Sequence, residues 1–226
     1  MKKQKIATLL LTIATTLAAL AQDISVSPVK VFEGATTINP VVVDTTLYFA
    51  SDIKNDFLVN YFDENGNRLF QLYKVKLNGI KLVGTPTSFL SKSNRPYNQT
   101  AVAFDNSGGI HITQTNDMAT TTNGTPLGIF DYKTADDESD GIASQRYKDA
   151  NAAYPAYSRD GKLMIFASDA KGGYGSSDLY YCEKVNGRWS SPMNLGGVVN
   201  TRGVETSPFI HPSGKIFFAS NGRSDS

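Results

Sequence analysis

After the first 21 residues, the apolar residues of this chain occur in short runs. They do not show the periodicity of an amphipathic helix. Residues 162–166 and 215–218 form short runs rich in aliphatic and aromatic side chains. Such runs are typical of strands buried between neighbouring sheets, whereas a helix needs ten or more periodic residues. The pattern therefore predicts an all-β fold.

Turn residues separate these runs at regular places. Asn78-Gly79 and Asn186-Gly187 each lie between two segments of strand-like composition. Asn-Gly is the strongest short-range hairpin signal, because both central residues of a type I′ turn need a positive φ. We therefore expect a β-hairpin at each dipeptide.

One pattern recurs along the chain. Residues 154–168 return as residues 207–220, with a weaker copy at 101–113 and the most divergent copy at 39–51. A unit of this length, holding about four short strands and its own turn residues, is typical of a β-propeller blade. The turn glycines of the last three copies, each 53 residues from the next, are Gly108, Gly161 and Gly214.

The repeat divides the chain into units. After a lead-in at residues 22–37, the predicted units cover approximately residues 38–98, 99–152, 153–205 and 206–226. The fourth unit holds only its first strand or two. We therefore expect a propeller of four-stranded blades that is incomplete, with about three blades and the start of a fourth. A small closed four-bladed form is the alternative.

The first 21 residues have the pattern of a secretory signal. Three lysines precede the apolar run 6–17, and the small-residue site at Ala19 and Ala21 predicts cleavage before Gln22. A membrane anchor is the alternative, but the run holds about a dozen residues and a spanning helix needs about twenty. We expect an exported protein, periplasmic or associated with the cell surface or outer membrane, with no transmembrane span after cleavage.

Composition narrows the possible partners. The chain has 22 basic and 21 acidic residues spread along its length, which gives no electrostatic footprint for nucleic acid or anionic lipid. Cys182 is the single cysteine and lies in a strand-like segment, so we expect a buried structural thiol and no intrachain disulfide.

The residues that carry most enzyme chemistry are scarce. His111 and His211 are the only histidines, and both are expected to be solvated or satisfied structural residues. The nucleophile-elbow pattern Gly-x-Ser-x-Gly does not occur. The acidic cluster at residues 136–140 is interpreted as a solvated loop, with a cation site as the alternative. No catalytic, cofactor or metal site is predicted.

Several segments of the third unit carry a family resemblance. Residues 155–162, 166–169, 172–180 and 189–196 resemble the PD40 or WD40-like repeat of TolB-type propellers, of the kind found in exported and OmpA-family envelope proteins of Bacteroidetes. The resemblance implies a propeller of about six to eight blades that serves as an interaction scaffold. It implies no catalytic residues. The repeat-motif residues, to which we assign structural roles, are Pro155, Asp160, Gly161, Ser168, Asp178, Asn186, Gly187, Pro208, Gly214 and Ser220.

These observations favour an exported, non-enzymatic scaffold that binds a protein or a cell-envelope component. The alternatives are the propeller part of a carbohydrate-active enzyme, the propeller part of a serine peptidase whose catalytic domain is missing, and a purely structural segment of a longer envelope protein. Aromatic residues could form the contact surface, since tyrosine and tryptophan dominate interface hot spots, or could pack between blades. These residues are Tyr154, Tyr157, Tyr174 and Trp189.

Overall fold

All regular structure in the described part of the chain is β-strand, so the predicted all-β fold is confirmed. The computed structural model describes residues 34–54, 60–63, 65–90, 97–115, 126–132, 142–145 and 149–223. The predicted signal segment, with Ala19, Ala21 and Gln22, and the acidic cluster 136–140 lie outside these residues. The strands are β1 (Thr37–Val43), β2 (Thr46–Ser51), β3 (Gln71–Asn78), β4 (Lys81–Ser88), β5 (Gln99–Phe104), β6 (Ile110–Thr115), β7 (Leu127–Tyr132), β8 (Ile142–Gln145), β9 (Ala153–Tyr157), β10 (Leu163–Ser168), β11 (Asp178–Val185), β12 (Arg188–Trp189), β13 (Met193–Asn194), β14 (Glu205–Ile210) and β15 (Ile216–Ser220).

The strands form a series of antiparallel sheets, each from consecutive segments of chain. The sheets are β1 to β4 (blade 1), β5 to β8 (blade 2) and β9 to β12, with β13 also paired to β11 (blade 3). A two-stranded sheet of β14 and β15 follows (blade 4). Each first strand contacts the first strand of the next blade, so these four strands lie together on the inside. Four-stranded meanders repeated around shared inner strands are the blades of a β-propeller.

Apolar side chains pack between successive blades and form the core. Between blades 2 and 3, Ile129 packs with Met164, Phe166 and Cys182, all of which are buried. Each such large side chain contributes about 1.5–3 kcal/mol when it is fully buried. The core therefore runs from blade to blade, and each sheet depends on its neighbour for stability.

An asparagine in the link after each four-stranded sheet fastens that sheet to the link. Its side-chain oxygen accepts a hydrogen bond from a backbone N–H at or near the start of the third strand. Because a buried N–H without a partner is costly, each bond holds the link in place. The bonds run from the N–H groups of Phe70, Leu127 and Leu179 to Oδ1 of Asn98, Asn151 and Asn200, over 2.9, 2.9 and 2.8 Å.

Two buried carboxylates, one in blade 3 and one in blade 4, lie near the junction between these blades and are satisfied by hydrogen bonds. Asp178 accepts bonds from the backbone N–H groups of Tyr174 and Gly175 and from the amide of Asn194. Glu205 accepts bonds from Thr201 and from the Ser220 hydroxyl, the latter over 2.6 Å. These donors replace the water that each carboxylate loses on burial.

The hydrogen bonds to Glu205 also set its protonation. Burial alone raises the pKa of this carboxyl, but bonds from Ser220 and Thr201 outweigh that effect and leave the pKa below its usual value. Glu205 is therefore ionised at neutral pH inside the blade junction. Ser220, a repeat-motif residue, acts here as a donor to a neighbouring strand.

Candidate functional site

A cavity of about 290 Å³ lies where the first strands of all four blades meet. We call it the channel pocket, because the inner strands of a propeller surround its central channel. Concave sites of this kind are where most ligands bind. The residues that line it are Asn39, Pro40 and Val41 from β1, Ala101 and Val102 from β5, Tyr154 and Pro155 from β9, and Ser207, Pro208 and Phe209 from β14.

Three residues of the channel pocket have left-handed backbone conformations. Asn39, Tyr154 and Ser207 have φ values of 51°, 57° and 51°, and a proline follows each of them. A positive φ is uncommon for any residue with a side chain, and a bulky tyrosine is a genuine outlier. Such conformations persist where the surroundings fix them, and they cluster at ligand sites.

A β-bulge produces these conformations in each of the three strands. In β9, residues 154–155 lie opposite the single residue Phe166, because the pairing shifts between Ile165 and Ala167. The same shift places residues 39–40 opposite Phe49 and residues 207–208 opposite Phe218. Proline has no N–H to donate, and a bulge is one of the few positions in a sheet that accepts it.

Hydrogen bonds between blades hold two of the strained residues in place. The Asn39 amide donates to the Thr100 carbonyl over 2.8 Å, and the Tyr154 backbone N–H donates to Thr113 Oγ1 over 3.0 Å. Burial raises the pKa of Tyr154, and a hydrogen bond donated by the Asn39 side-chain amide to the Tyr154 hydroxyl oxygen offsets part of that effect. The phenol therefore stays protonated at neutral pH and offers a neutral hydrogen-bonding group to the pocket.

The buried histidine, His111, lies away from the channel pocket, between blades 2 and 3. Nδ1 of His111 is 2.7 Å from Oδ1 of Asp131, and Nε2 is 3.3 Å from Oδ2 of Asp105. The ring also stacks on Tyr157, with 4.1 Å between ring centroids. Both ring nitrogens thus face carboxylates, so neither is open to a substrate. This geometry is that of a satisfied structural histidine, whereas His211 is exposed and pairs with Ser213 in its turn.

A second cavity, of about 530 Å³, opens beside Asp105 among the turns that follow β5, β9 and β11. Arg159, Lys162 and Lys184 line it, but all three side chains are exposed. Among the described residues, no group of three or more His, Cys, Asp or Glu is placed to hold a metal ion. The channel pocket, in which hydrogen bonds between blades hold Asn39 and Tyr154, is the better candidate site.

The structure separates the sequence-predicted motif residues into two groups. Pro155 and Pro208 line the channel pocket, and all the others lie in turns or in the interior of blades 3 and 4. Asn186 and Gly187 have φ values of 52° and 80° in the turn that joins β11 to β12. Asn39 and Ser207 were not predicted as site residues. The available signal was their shared position immediately before a repeated proline.

The four aromatic residues considered as a contact surface take different places. Tyr154 lines the channel pocket, and Tyr174 is exposed. Tyr157 packs in the junction between blades 2 and 3 beside Trp189, and its hydroxyl is buried. Cys182 lies in the same junction, and burial raises the pKa of its thiol to about 11.

Comparison with known proteins gives distant structural similarity only. No protein-family model matches the chain, and no curated protein matches it. A puromycin-hydrolysing peptidase from Mycobacterium tuberculosis aligns with a TM-score of 0.47 and 10% identity over 83% of this chain and 35% of the peptidase. A puromycin hydrolase aligns with a TM-score of 0.44 and 10% identity over 82% of this chain and 36% of the hydrolase. The chain thus spans about a third of the length of these enzymes.

Proposed function

We propose that this chain is an exported, non-enzymatic β-propeller scaffold, and that its channel pocket contacts a protein or cell-envelope partner. One observation carries the proposal. Three side-chain-bearing residues, from three different blades, have strained left-handed conformations at a single pocket. Backbone strain of this kind is retained where function requires a fixed geometry.

The chemistry of the described residues supports a binding role over catalysis. General acid–base catalysis needs a group that titrates near neutral pH and can reach the substrate. The ring nitrogens of His111 already face Asp105 and Asp131, and the buried thiol of Cys182 has a raised pKa. The residues that line the channel pocket are all uncharged.

Export and envelope location are proposed from the sequence. The signal pattern of residues 1–21 and the resemblance of residues 155–196 to the PD40 repeat both favour them. In the part of the chain that the structure describes, no helix has the length and apolar character needed to cross a membrane.

The proposal predicts that the pocket edge controls binding. Phe209 lines the channel pocket and is 55% exposed, and its strand partner Phe217 is 56% exposed but lies outside the pocket. The two residues therefore form a matched pair for Phe→Ala substitution. Binding of solubilised envelope from the source organism to immobilised protein is measured by biolayer interferometry. Phe209→Ala should lose most of the signal and Phe217→Ala should keep it. Equal binding by both variants contradicts the proposal.

A further inference from the structure

The lining of the channel pocket is electrically neutral. None of its ten residues carries a formal charge, although 19% of the whole chain is charged. Moving a charged group from water into a partly apolar site without a counter-charge is unfavourable. Phosphates, carboxylates and ammonium groups are therefore poor ligands for this pocket.

The same lining combines aromatic faces with neutral hydrogen-bonding groups. Tyr154 and Phe209 supply rings, and the side chains of Asn39 and Ser207 supply an amide and a hydroxyl. A ligand that uses both kinds of contact needs an apolar face and a hydroxyl-bearing edge. A sugar ring has this character, because its C–H groups form one face and its hydroxyls lie around the rim.

The size and edges of the pocket favour a compact group over an extended peptide. The cavity of about 290 Å³ is at the small end of ligand sites. Peptides that bind to strands add themselves to a continuous sheet edge. At this pocket β1, β9 and β14 are each interrupted by a bulge and a proline, so no continuous edge of N–H groups is offered.

Two residues that line the pocket are also held in place before any ligand binds. The Asn39 amide is bonded to Thr100 of the next blade, and the backbone of Tyr154 is bonded to Thr113. Groups held in this way lose little conformational freedom on binding, which favours recognition of a small rigid ligand.

We infer that the channel pocket binds one uncharged sugar residue of an envelope saccharide, with the ring packed on Phe209 and Tyr154 and its hydroxyls paired with Asn39 and Ser207. This inference rests on the proposed binding function and names the ligand class for it. The partner is then the saccharide part of an envelope component.

Calorimetry on the purified protein tests the inference with defined probes. The probes are chitotriose and maltotriose, which are uncharged, a trimer of galacturonate, which is anionic, a chitosan trimer, which is cationic, and a proline-rich decapeptide. We expect one or both neutral trisaccharides to bind, and neither charged trimer nor the peptide. Phe209→Ala should weaken binding about tenfold or more, and Phe217→Ala should change it by less than about twofold.

A second variant separates loss of saccharide binding from loss of folding. Tyr154→Phe keeps the ring and removes only the hydroxyl, which is hydrogen-bonded to the Asn39 side chain. Because Asn39 loses this positioning contact, the variant should weaken saccharide binding while the melting temperature stays close to that of the parent. Binding of the charged trimers or of the peptide with the same Phe209 dependence overturns the inference. If no saccharide binds but Phe209→Ala still reduces envelope binding, the sugar inference fails and the proposed function stands. If neither binds, both fail.

Discussion

His111 and Asp131 are direct cross-strand partners in blade 2, and Nδ1 of the histidine lies 2.7 Å from the aspartate Oδ1. Both face blade 3, where Tyr157 stacks on the imidazole. His111 pairs with Ala103 of β5, and in blade 3 the residue that pairs with the corresponding Ala156 of β9 is Ile165. Ile165 belongs to an apolar cluster on which Ile210 and Phe218 of blade 4 pack. The junction between blades 2 and 3 is therefore polar where the next junction is apolar.

Replacing His111 should weaken the junction between blades 2 and 3. His111→Ala leaves Asp105 and Asp131 without their shared partner and removes the stacking on Tyr157. We expect a loss of about 1–3 kcal/mol in the free energy of unfolding, measured by urea denaturation at pH 7. His211→Ala, at an exposed turn position, should change it by less than about 0.5 kcal/mol. Equal effects of the two substitutions would show that the contacts of His111 do not stabilise the junction.

Glu205 should make stability depend on acid pH. Its pKa is lower in the folded protein than the usual value of 4.5, so its contribution is fully present above that value and is lost as pH falls through the folded pKa. The free energy of unfolding, measured in urea from pH 7 to pH 3, should fall below about pH 5. Glu205→Gln should lower stability at pH 7 and flatten this dependence, because the variant has no proton to bind.

Glu183→Gln is the matched control for Glu205, since Glu183 is exposed on β11. It should leave both the stability at pH 7 and its fall in acid nearly unchanged. A parent-like acid dependence in the Glu205→Gln variant would rule out this carboxylate as its source.

The left-handed backbone at Ser207 predicts opposite signs for two glycine substitutions on one strand. Ser207→Gly relieves a cost of about 1–2 kcal/mol and adds a smaller entropic cost, so stability should rise by about 0.5 kcal/mol. The preceding residue, Thr206, lies in β14 without a positive φ, and Thr206→Gly should lower stability by about 1 kcal/mol. Thermal melting of the two variants measures both signs. Destabilisation of equal size by both would contradict the strained conformation at residue 207.

The Cys182 thiol should be inert in the folded protein. Burial raises its pKa from 9.0 to about 11, which lowers the thiolate fraction at pH 8 by about a hundredfold, and the side chain is also closed to solvent. Reaction with a chromogenic disulfide reagent at pH 8 should be at least about a hundredfold slower in buffer than in 8 M urea, a concentration chosen to unfold the chain. A fast reaction of the folded protein would mean that the junction between blades 2 and 3 opens readily.

The sequence predicts the fold well because its turn chemistry repeats. Gly161 and Gly214 both have positive φ in the turn between the first two strands of their blades. Glycine adopts this conformation readily, so a repeated turn leaves a repeated glycine in the sequence. Although these glycines are equally spaced in the sequence, the two turns differ in length by one residue. The turn of blade 3 is closed by Ser158 and Leu163, five residues apart, whereas that of blade 4 is closed by His211 and Lys215, four apart. Only the strand pairing reveals which side chains occupy equivalent places.

The candidate site was harder to predict. Pro155 and Pro208 stand out in the repeat, but the residue before a proline normally prefers an extended conformation. The positive φ at Tyr154 and Ser207 results from the bulge opposite Phe166 and Phe218, which is a property of strand pairing. Convergence of the four inner strands on one cavity likewise depends on how the blades pack, which no local pattern encodes.

Photo-crosslinking from the pocket edge tests the central claim most directly. A benzophenone amino acid is placed at Phe209 in one variant and at Phe217 in another, and each is irradiated with solubilised envelope from the source organism. The side chains are almost equally exposed, at 55% and 56%, but only the first lines the channel pocket. We expect a crosslinked species from position 209 that excess unlabelled protein removes, and little or none from position 217. Equal crosslinking from both positions, or none from position 209, would contradict a binding site in the channel pocket.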